Sequence, residues 1–399
     1  MRILAITDTI PYPTVSGDRI RVYNLLRRVA AEHQVWLAAL LEKPDEADGV
    51  SHMEEFCSGV EVVAVRRRHP LMHLPGLLHY ALAGKPLELR FEYSKELADK
   101  IRHLVSTVGF DVVQIEHSRM ALYLETLPPD AHCKHILVFH NVAFDQYDRI
   151  FRIERRPIIR TRALIHSLMM RRWEPRYAER FDRCITVSEV DRDLLLTANP
   201  RLQVDVIPNG VDTQVYQPLP QGSTLPTLLF IGKMSYRPCI DAVLYFCREI
   251  LPPIRRVIGD VETWIVGREP PPEVMQLQGD GVHITGWVDD VVPYYRRSAV
   301  CVVPLRAGGG TRLKILEAMA LGRPVVSTTV GCEGLDVVDG EHLLMADSPE
   351  QFAEKTVRLL TDGALYQRIT TNARQLVVTR YDWDAIARQL MQSYAEMVG

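Results

Sequence analysis

Residues 304–328 read PLRAGGGTRLKILEAMALGRPVVST. An apolar strand ends at Leu305 and three glycines follow at 308–310. Thr311 then opens a stretch, TRLKILEAMALG, with apolar residues at i, i+3, i+4 and i+7, the spacing of one helix face. PVVST returns to a short apolar strand. Strand, glycine turn, helix and strand in this order make one βα repeat.

The same rhythm extends in both directions. RILAIT, VWLAAL, VEVVAV, DVVQIE, HILVFH, RCITVS and VDVIP lie upstream, with TLLFIG, TWIVG, VHITG and AVCVVPL between them and the quoted stretch, and HLLMA beyond it. Runs this apolar on both faces suit strands of a parallel sheet covered by helices on each side. Helical patterns such as DRIRVYNLLRRVAAE fill the intervals, so the fold class is α/β with doubly wound parallel sheets. At 399 residues the chain has room for two or three domains. QPLPQGSTLP at 217–226 holds three prolines and no hydrophobic pattern, and reads as a linker. The expected division is an N-terminal domain over 1–217, a second over 218–381, and a terminal helix over 382–399 long enough to pack back on the first.

With 47% hydrophobic and 24% charged residues the composition is that of a globular protein, not a disordered or collagen-like one. A net charge of −3 gives no bulk attraction for nucleic acid. MRILAITDTIPYP is apolar for too short a run to read as a signal peptide, and no stretch reaches the ~20 apolar residues of a membrane span. Seven scattered cysteines without a CxxC pair argue against structural zinc and read as reduced thiols, hence a cytoplasmic chain. Two segments break the βα rhythm: 66–90, and 149–180 with ten Arg against three Glu among Ile, Leu, Met, Phe and Trp173. Such stretches suit the inner face of an anionic membrane, or a solvated helix whose Arg stems cover apolar surface.

Glycines at a strand-to-helix turn let backbone N–H groups approach a phosphate, and Arg312 and Lys314 add full positive charges. Glu317, one turn on, is placed to accept from a ribose hydroxyl. The dinucleotide pattern G-x-G-x-x-G fails because Leu313 stands where its last glycine belongs, and the phosphate loop G-x-x-x-x-G-K-[ST] does not occur. An ordinary capped turn is the competing reading. His140 ends an apolar strand, where open α/β sheets bind ligands. Asp191-Arg192-Asp193 matches a metal clamp by letters, but it opens a helical pattern, where aspartates complement the helix dipole. No metal or cofactor is expected.

The segment 304–328 resembles the signature of the group 1 glycosyltransferases, the retaining GT-B family that uses nucleotide-activated sugars, and the likeness runs over nearly the whole chain. The resemblance implies two Rossmann-like domains facing an interdomain cleft. TVSGDRIRVYNLLRR resembles the loop in which a glycine, here Gly17, approaches the donor diphosphate. VFHNV resembles the strand end presenting His140 and Asn141 to the donor sugar. VSEVDRDLL and VIPNGVDT, with Ser188, Asn209, Gly210 and Asp212, resemble the segments closing the first domain. In FIGKMSYRP, Gly232 precedes Lys233, which stands in the place of a usual arginine, and Arg237 is the candidate for the second cation. GWVDDV, with Trp287, resembles the region reading the nucleobase. Gly309, Gly310, Thr311, Arg312 and Leu313 complete the implied donor site, and His140, Lys233, Arg237, Lys314 and Glu317 the catalytic set.

One departure concerns chemistry. The family's paired acids are spaced Glu-x7-Glu, and counting back from Glu317 reaches Gly309, so the first carboxylate is missing. The implied function is transfer of a sugar from a nucleotide diphosphate sugar to a glycan, polysaccharide or lipid-linked acceptor, with retention. A GT-B nucleotide-sugar epimerase and a non-catalytic nucleotide-sugar or carbohydrate-binding protein are the alternatives.

Overall fold

The computed structural model describes residues 1–41, 48–64, 86, 89–154, 156–220 and 226–399. Of the basic segment 66–90, residues 66–85, 87 and 88 lie outside the described residues, as do 221–225 of the expected linker. The described chain forms two compact units, Met1–Pro208 with Ile386–Gly399, and Asn209–Ala385.

Seven strands build the sheet of the first unit among the described residues: β1 (Arg2–Thr7), β2 (Gln34–Leu41), β3 (Gly59–Ala64), β4 (Val112–Glu116), β5 (Lys134–Phe139), β6 (Arg183–Thr186) and β7 (Val204–Val206). Their spatial order is β3-β2-β1-β4-β5-β6-β7, and every pairing is parallel. Parallel strands need crossovers, which the sequence supplies as helices such as Gly17–Val29 and Lys95–Val108. Ile3, Leu4, Ala5 and Ile6 of β1 are fully buried, as a central strand covered on both faces requires. β4 is different: Gln114 and Glu116 lie two residues apart, so they share one face, and both are buried.

The second unit repeats the plan with β8 (Thr227–Ile231), β9 (Glu262–Val266), β10 (Val282–Ile284), β11 (Val300–Val303), β12 (Val325–Ser327) and β13 (Leu344–Met345). Their order is β10-β9-β8-β11-β12-β13, again all parallel. Each sheet grows first one way and then the other. The order reverses between β1 and β4 in one unit and between β8 and β11 in the other, and open α/β sheets form their ligand crevices at the carboxyl ends of such strands.

The loops leaving β8 and β9 run in backbone contact. Gly232 N donates to Val266 O at 2.9 Å and Met234 N to Arg268 O at 3.0 Å. A Cβ on Gly267 would stand 1.7 Å from Gly232 O. Gly267→Ala is therefore expected to push these loops apart and destabilise the protein by about 1–3 kcal/mol, read from chemical denaturation. An unchanged midpoint would mean that the approach is not required.

Candidate active site

In the second unit, the chain leaves β11 through Pro304 and Leu305 into the glycine turn. Gly308 and Gly310 hold φ of +123° and +67°, values that side chains other than glycine rarely adopt. A Cβ on Gly308 would also lie 3.0 Å from Arg312 Nη2 and 3.3 Å from the Tyr236 hydroxyl oxygen. The turn thus folds tightly around the Arg312 guanidinium. Arg312 Nη1 donates to the carbonyls of Gly309 and Gly310, while its Nε and Nη2 are buried with no hydrogen-bond partner among the described residues. Thr311 Oγ1 accepts from Asn209 Nδ2 at 2.7 Å, fixing the first residue after the glycines.

Helix Leu313–Ala320 follows, and its first turn carries Lys314. The ammonium lies 4.6 Å from the centre of the Phe230 ring. Gly232 leaves room for it, since a Cβ there would stand 3.0 Å from Lys314 Nζ. Burial lowers the Lys314 pKa from the usual lysine range, and Arg312 pushes the same way against Cys239 and Glu317. Glu317 accepts from the Tyr295 hydroxyl at 3.1 Å, and burial raises its pKa against that bond and the Lys314 charge. The ends of β8 and β11 therefore hold two cations, Arg312 buried and Lys314 half-buried, with a glycine turn and a helix start beside them.

Other expected cations are differently placed. Arg237 Nη1 pairs with Glu273 Oε1 at 3.0 Å. Lys233 is exposed, and so is Trp287, whose indole donates to Asp289 at 3.1 Å. Arg306, which the sequence did not single out, is held by two hydrogen bonds to Asp241, at 2.7 and 3.0 Å, and lies over Tyr245. Arg268, which the sequence also left unnamed, lies just past β9 and has a buried Nε without a partner among the described residues. Its signal was its position, a cation ending the run TWIVG-R at a carboxyl strand end.

The first unit gathers a different chemistry at β1, β4 and β5. Glu116 ends β4 and accepts from His140 Nε2 at 2.6 Å, and His140 stacks on His117 with ring centres 3.9 Å apart. His117 holds φ +68°, a strained backbone for a residue with a side chain, of the kind that collects at functional sites. Its Nε2 lies 3.7 Å from Asp8, which Arg119 also contacts. Asp18, in the first helical turn after Gly17, faces the same group. Burial would raise its pKa, but His117, a hydrogen bond from Ser16, His140 and Arg119 outweigh that and hold it well below the usual carboxylate range. Burial also depresses the His117 pKa, helped by His140 and Arg119. Gly17 is exposed at the helix start and Asn141 is half-buried beside His140. The sequence reading named Gly17, His140 and Asn141 but missed Asp8, Asp18, Glu116, His117 and Arg119. The polar pair inside DVVQIE and the His following it were the available signal.

Behind the two histidines sits Glu174, buried in helix Pro157–Ala178. It accepts from Ser118 Oγ at 2.5 Å and from the backbone N–H groups of Ala143 and Phe144 at 3.3 Å each. It thereby ties the loop after β4 to the helix start after β5. Burial raises its pKa to about 7 against those bonds, with Asp191 adding to the rise. Asp191 itself is bonded to Ser188 Oγ at 2.5 Å, and Asp193 to Arg192 Nε at 2.9 Å.

Comparison with known proteins identifies the family. The family described as Glycosyltransferase Family 4 matches residues 15–215, and that described as Glycosyl transferases group 1 matches residues 225–362. The chain belongs to the group 1 glycosyltransferases, and its two parallel-sheet units have the GT-B fold. A phosphatidyl-myo-inositol mannosyltransferase of Mycobacterium leprae is 30% identical over 199 residues, 47% of this chain and 52% of that protein. The chain thus spans about half the length of the curated relatives it matches. Sucrose-phosphate synthase of Thermosynechococcus elongatus is similar in structure, with a TM-score of 0.74 at 18% identity over 100% of this chain and 99% of that one. Anabaena Alr3699/HepE, solved with UDP and glucose, gives 0.71 at 16% identity over 99% and 100%.

Glu174 gives a pH signature. Its folded pKa of about 7 lies above the ordinary carboxyl value of 4.5, so the folded state holds the proton longer than the unfolded one. Its contribution is full below pH 4.5 and is lost as pH rises through 7, an effect on the order of 3 kcal/mol. Urea unfolding of wild type and Glu174→Gln between pH 4.5 and 8 is expected to show wild type losing stability relative to the variant. Parallel profiles would refute a raised pKa.

Proposed function

We propose that this protein transfers a hexosyl group from a nucleotide diphosphate sugar to a glycan, polysaccharide or lipid-linked acceptor, with retention of anomeric configuration. The observation that carries the reading is the Arg312 guanidinium, buried at the glycine turn with two of its nitrogens unbonded among the described residues. Buried donors left unpaired cost about 1–3 kcal/mol each, and more when charged, so the turn is built for an anion that satisfies them. A diphosphate has the required charge and oxygens. The complex of Anabaena Alr3699/HepE with UDP and glucose supports a nucleotide-sugar donor.

In the proposed reaction an acceptor hydroxyl attacks the anomeric carbon from the face of the leaving group. The carbon–oxygen bond to the diphosphate breaks, and the departing phosphate oxygen takes the hydroxyl proton. Negative charge builds on the diphosphate as the bond breaks. Arg312, Lys314, the helix start and, on the same reading, Lys233 and Arg237 stabilise it more in the transition state than in the ground state, with no metal required. Glu317 accepts from the ribose, and Gly17, His140 and Asn141 meet donor diphosphate and sugar. Gly309 favours a second reading, binding without turnover, because the family's first carboxylate is absent there.

Lys314→Ala is expected to lower kcat by ~10²–10³ in a nucleotide-release assay, as loss of a group that stabilises developing charge does elsewhere. Arg306→Ala, whose partner is Asp241, is the control and should stay near wild type. Wild-type turnover in Lys314→Ala would sink the assignment of this turn.

We further propose that the enzyme works on the inner face of an anionic membrane. No helix among the described residues is long and apolar enough to cross a membrane. Helix Pro157–Ala178 nevertheless exposes Ile158, Ile165 and Leu168 among exposed Arg160, Arg162, Arg171, Arg172 and Arg176. Each surface cation adds about 1 kcal/mol of attraction to an anionic leaflet and screens away with salt. Phosphatidylglycerol vesicles should sediment the protein at low salt and release it at high salt, with Ile158→Ser and Leu168→Ser weakening the association. Absence of binding at low salt would remove this reading.

A further inference from the structure

His140 is the end of a line of four buried side chains. Tyr394, in the Ile386–Gly399 stretch of the first unit, donates its hydroxyl proton to Gln114 Oε1 at 2.6 Å. Gln114 Nε2 donates to Glu116 Oε1 at 2.6 Å, and the other Glu116 oxygen accepts from His140 Nε2 at 2.6 Å. Gln114 and Glu116 share one face of β4 and Tyr394 is wholly buried, so water does not compete for these groups. Arg21 faces Glu116 and Tyr394 from helix Gly17–Val29, with Nη1 donating to Pro208 O at 2.7 Å.

Proton bookkeeping gives the line a direction. A phenol bonded to an amide oxygen donates, which turns the Gln114 NH₂ toward Glu116. The opposite amide orientation would set a carbonyl against a carboxylate. Ionised Glu116 only accepts, so the hydrogen of its second bond must come from His140 Nε2. Stacking on His117 restrains the ring. His140 Nδ1 makes no hydrogen bond to any described residue, and in the neutral ring it carries a lone pair.

We infer that Tyr394, Gln114 and Glu116 are positioning residues that lock His140 in the Nε2–H tautomer and present Nδ1 as a hydrogen-bond acceptor for a sugar hydroxyl. A neutral ring held this way accepts from a hydroxyl and offers nothing to an anionic oxygen. His140 therefore reads the sugar, not the phosphate. The identity of that ligand rests on the donor-sugar reading above; the tautomer does not.

The test separates the two. Imidazole nitrogen spectra of ¹⁵N-histidine-labelled protein at pH 8, assigned with His140→Gln, are expected to show Nε2 protonated and Nδ1 bare. In Glu116→Gln the Gln114 amide still donates to one side, so the new amide must turn its NH₂ toward the ring and reverse the tautomer. Groups that orient a working histidine typically cost about 10–100-fold when removed, so Glu116→Gln should lose activity in that range and Tyr394→Phe roughly 10-fold, chiefly in kcat. A protonated Nδ1 with a bare Nε2 in wild type, or an unchanged tautomer in Glu116→Gln, would overturn the relay. A reversed tautomer with undiminished turnover would keep the relay and overturn the assignment of Nδ1 to the sugar. Tyr394→Phe keeps every charge in place, so its kinetics remain readable if Glu116→Gln folds poorly.

Discussion

The constraint on which everything else depends is the single reversal of strand order in each sheet. Where β8 meets β11, and where β1 meets β4, consecutive connections depart in opposite directions, and no helix can cover the gap they leave. Loops at that gap must bring backbone groups to an opening, and only certain residues allow it. Gly232, Gly267, Gly308 and Gly310 stand in the loops that leave β8, β9 and β11. In the first unit the same positions hold Asp8, Asp18, Glu116 and His117, with His140 one strand over.

The two units treat buried charge in opposite ways. In the first, acids are matched within the protein: Asp8 with Arg119, and Glu116 with Arg21 and the Nε2–H of His140. Burial still lowers Arg21 to about 10 despite the help of Glu116. In the second, Arg237 and Arg306 are paired with acids, while among the described residues Arg312 keeps two buried nitrogens unbonded and Lys314 has no ion pair. Unpaired cations destabilise a folded chain by amounts comparable to several ordinary hydrogen bonds. Their position at one turn, next to cations that did find partners, is the feature on which the proposed anion site rests.

The layers of the fold were readable from apolar runs because a strand covered on both faces has few places for a polar side chain. Arg312, Lys314 and the glycine turn were readable for a related reason: glycine and cation chemistry there has few structural substitutes. The cluster of the first unit was not. Asp18 and His140 are over a hundred residues apart, and each alone looks like a helix-start acid or a strand-end histidine. Gln114 and Glu116 did carry a local signal, two polar residues on one face of a buried strand, yet their meaning depends on Tyr394, 280 residues away. Arg237 shows the opposite limit. The family resemblance suggested a phosphate cation there, and only the fold could reveal Glu273 beside it.

Gly309 can now be weighed in charge terms. Arg312 turns back onto the carbonyls of Gly309 and Gly310, which are neutral acceptors and leave its positive charge uncancelled. An acidic side chain in this turn would compete for the guanidinium through a charge-assisted bond about twice as strong as a neutral one. Glycine at 309 therefore leaves the turn without a carboxylate and keeps its net charge more positive.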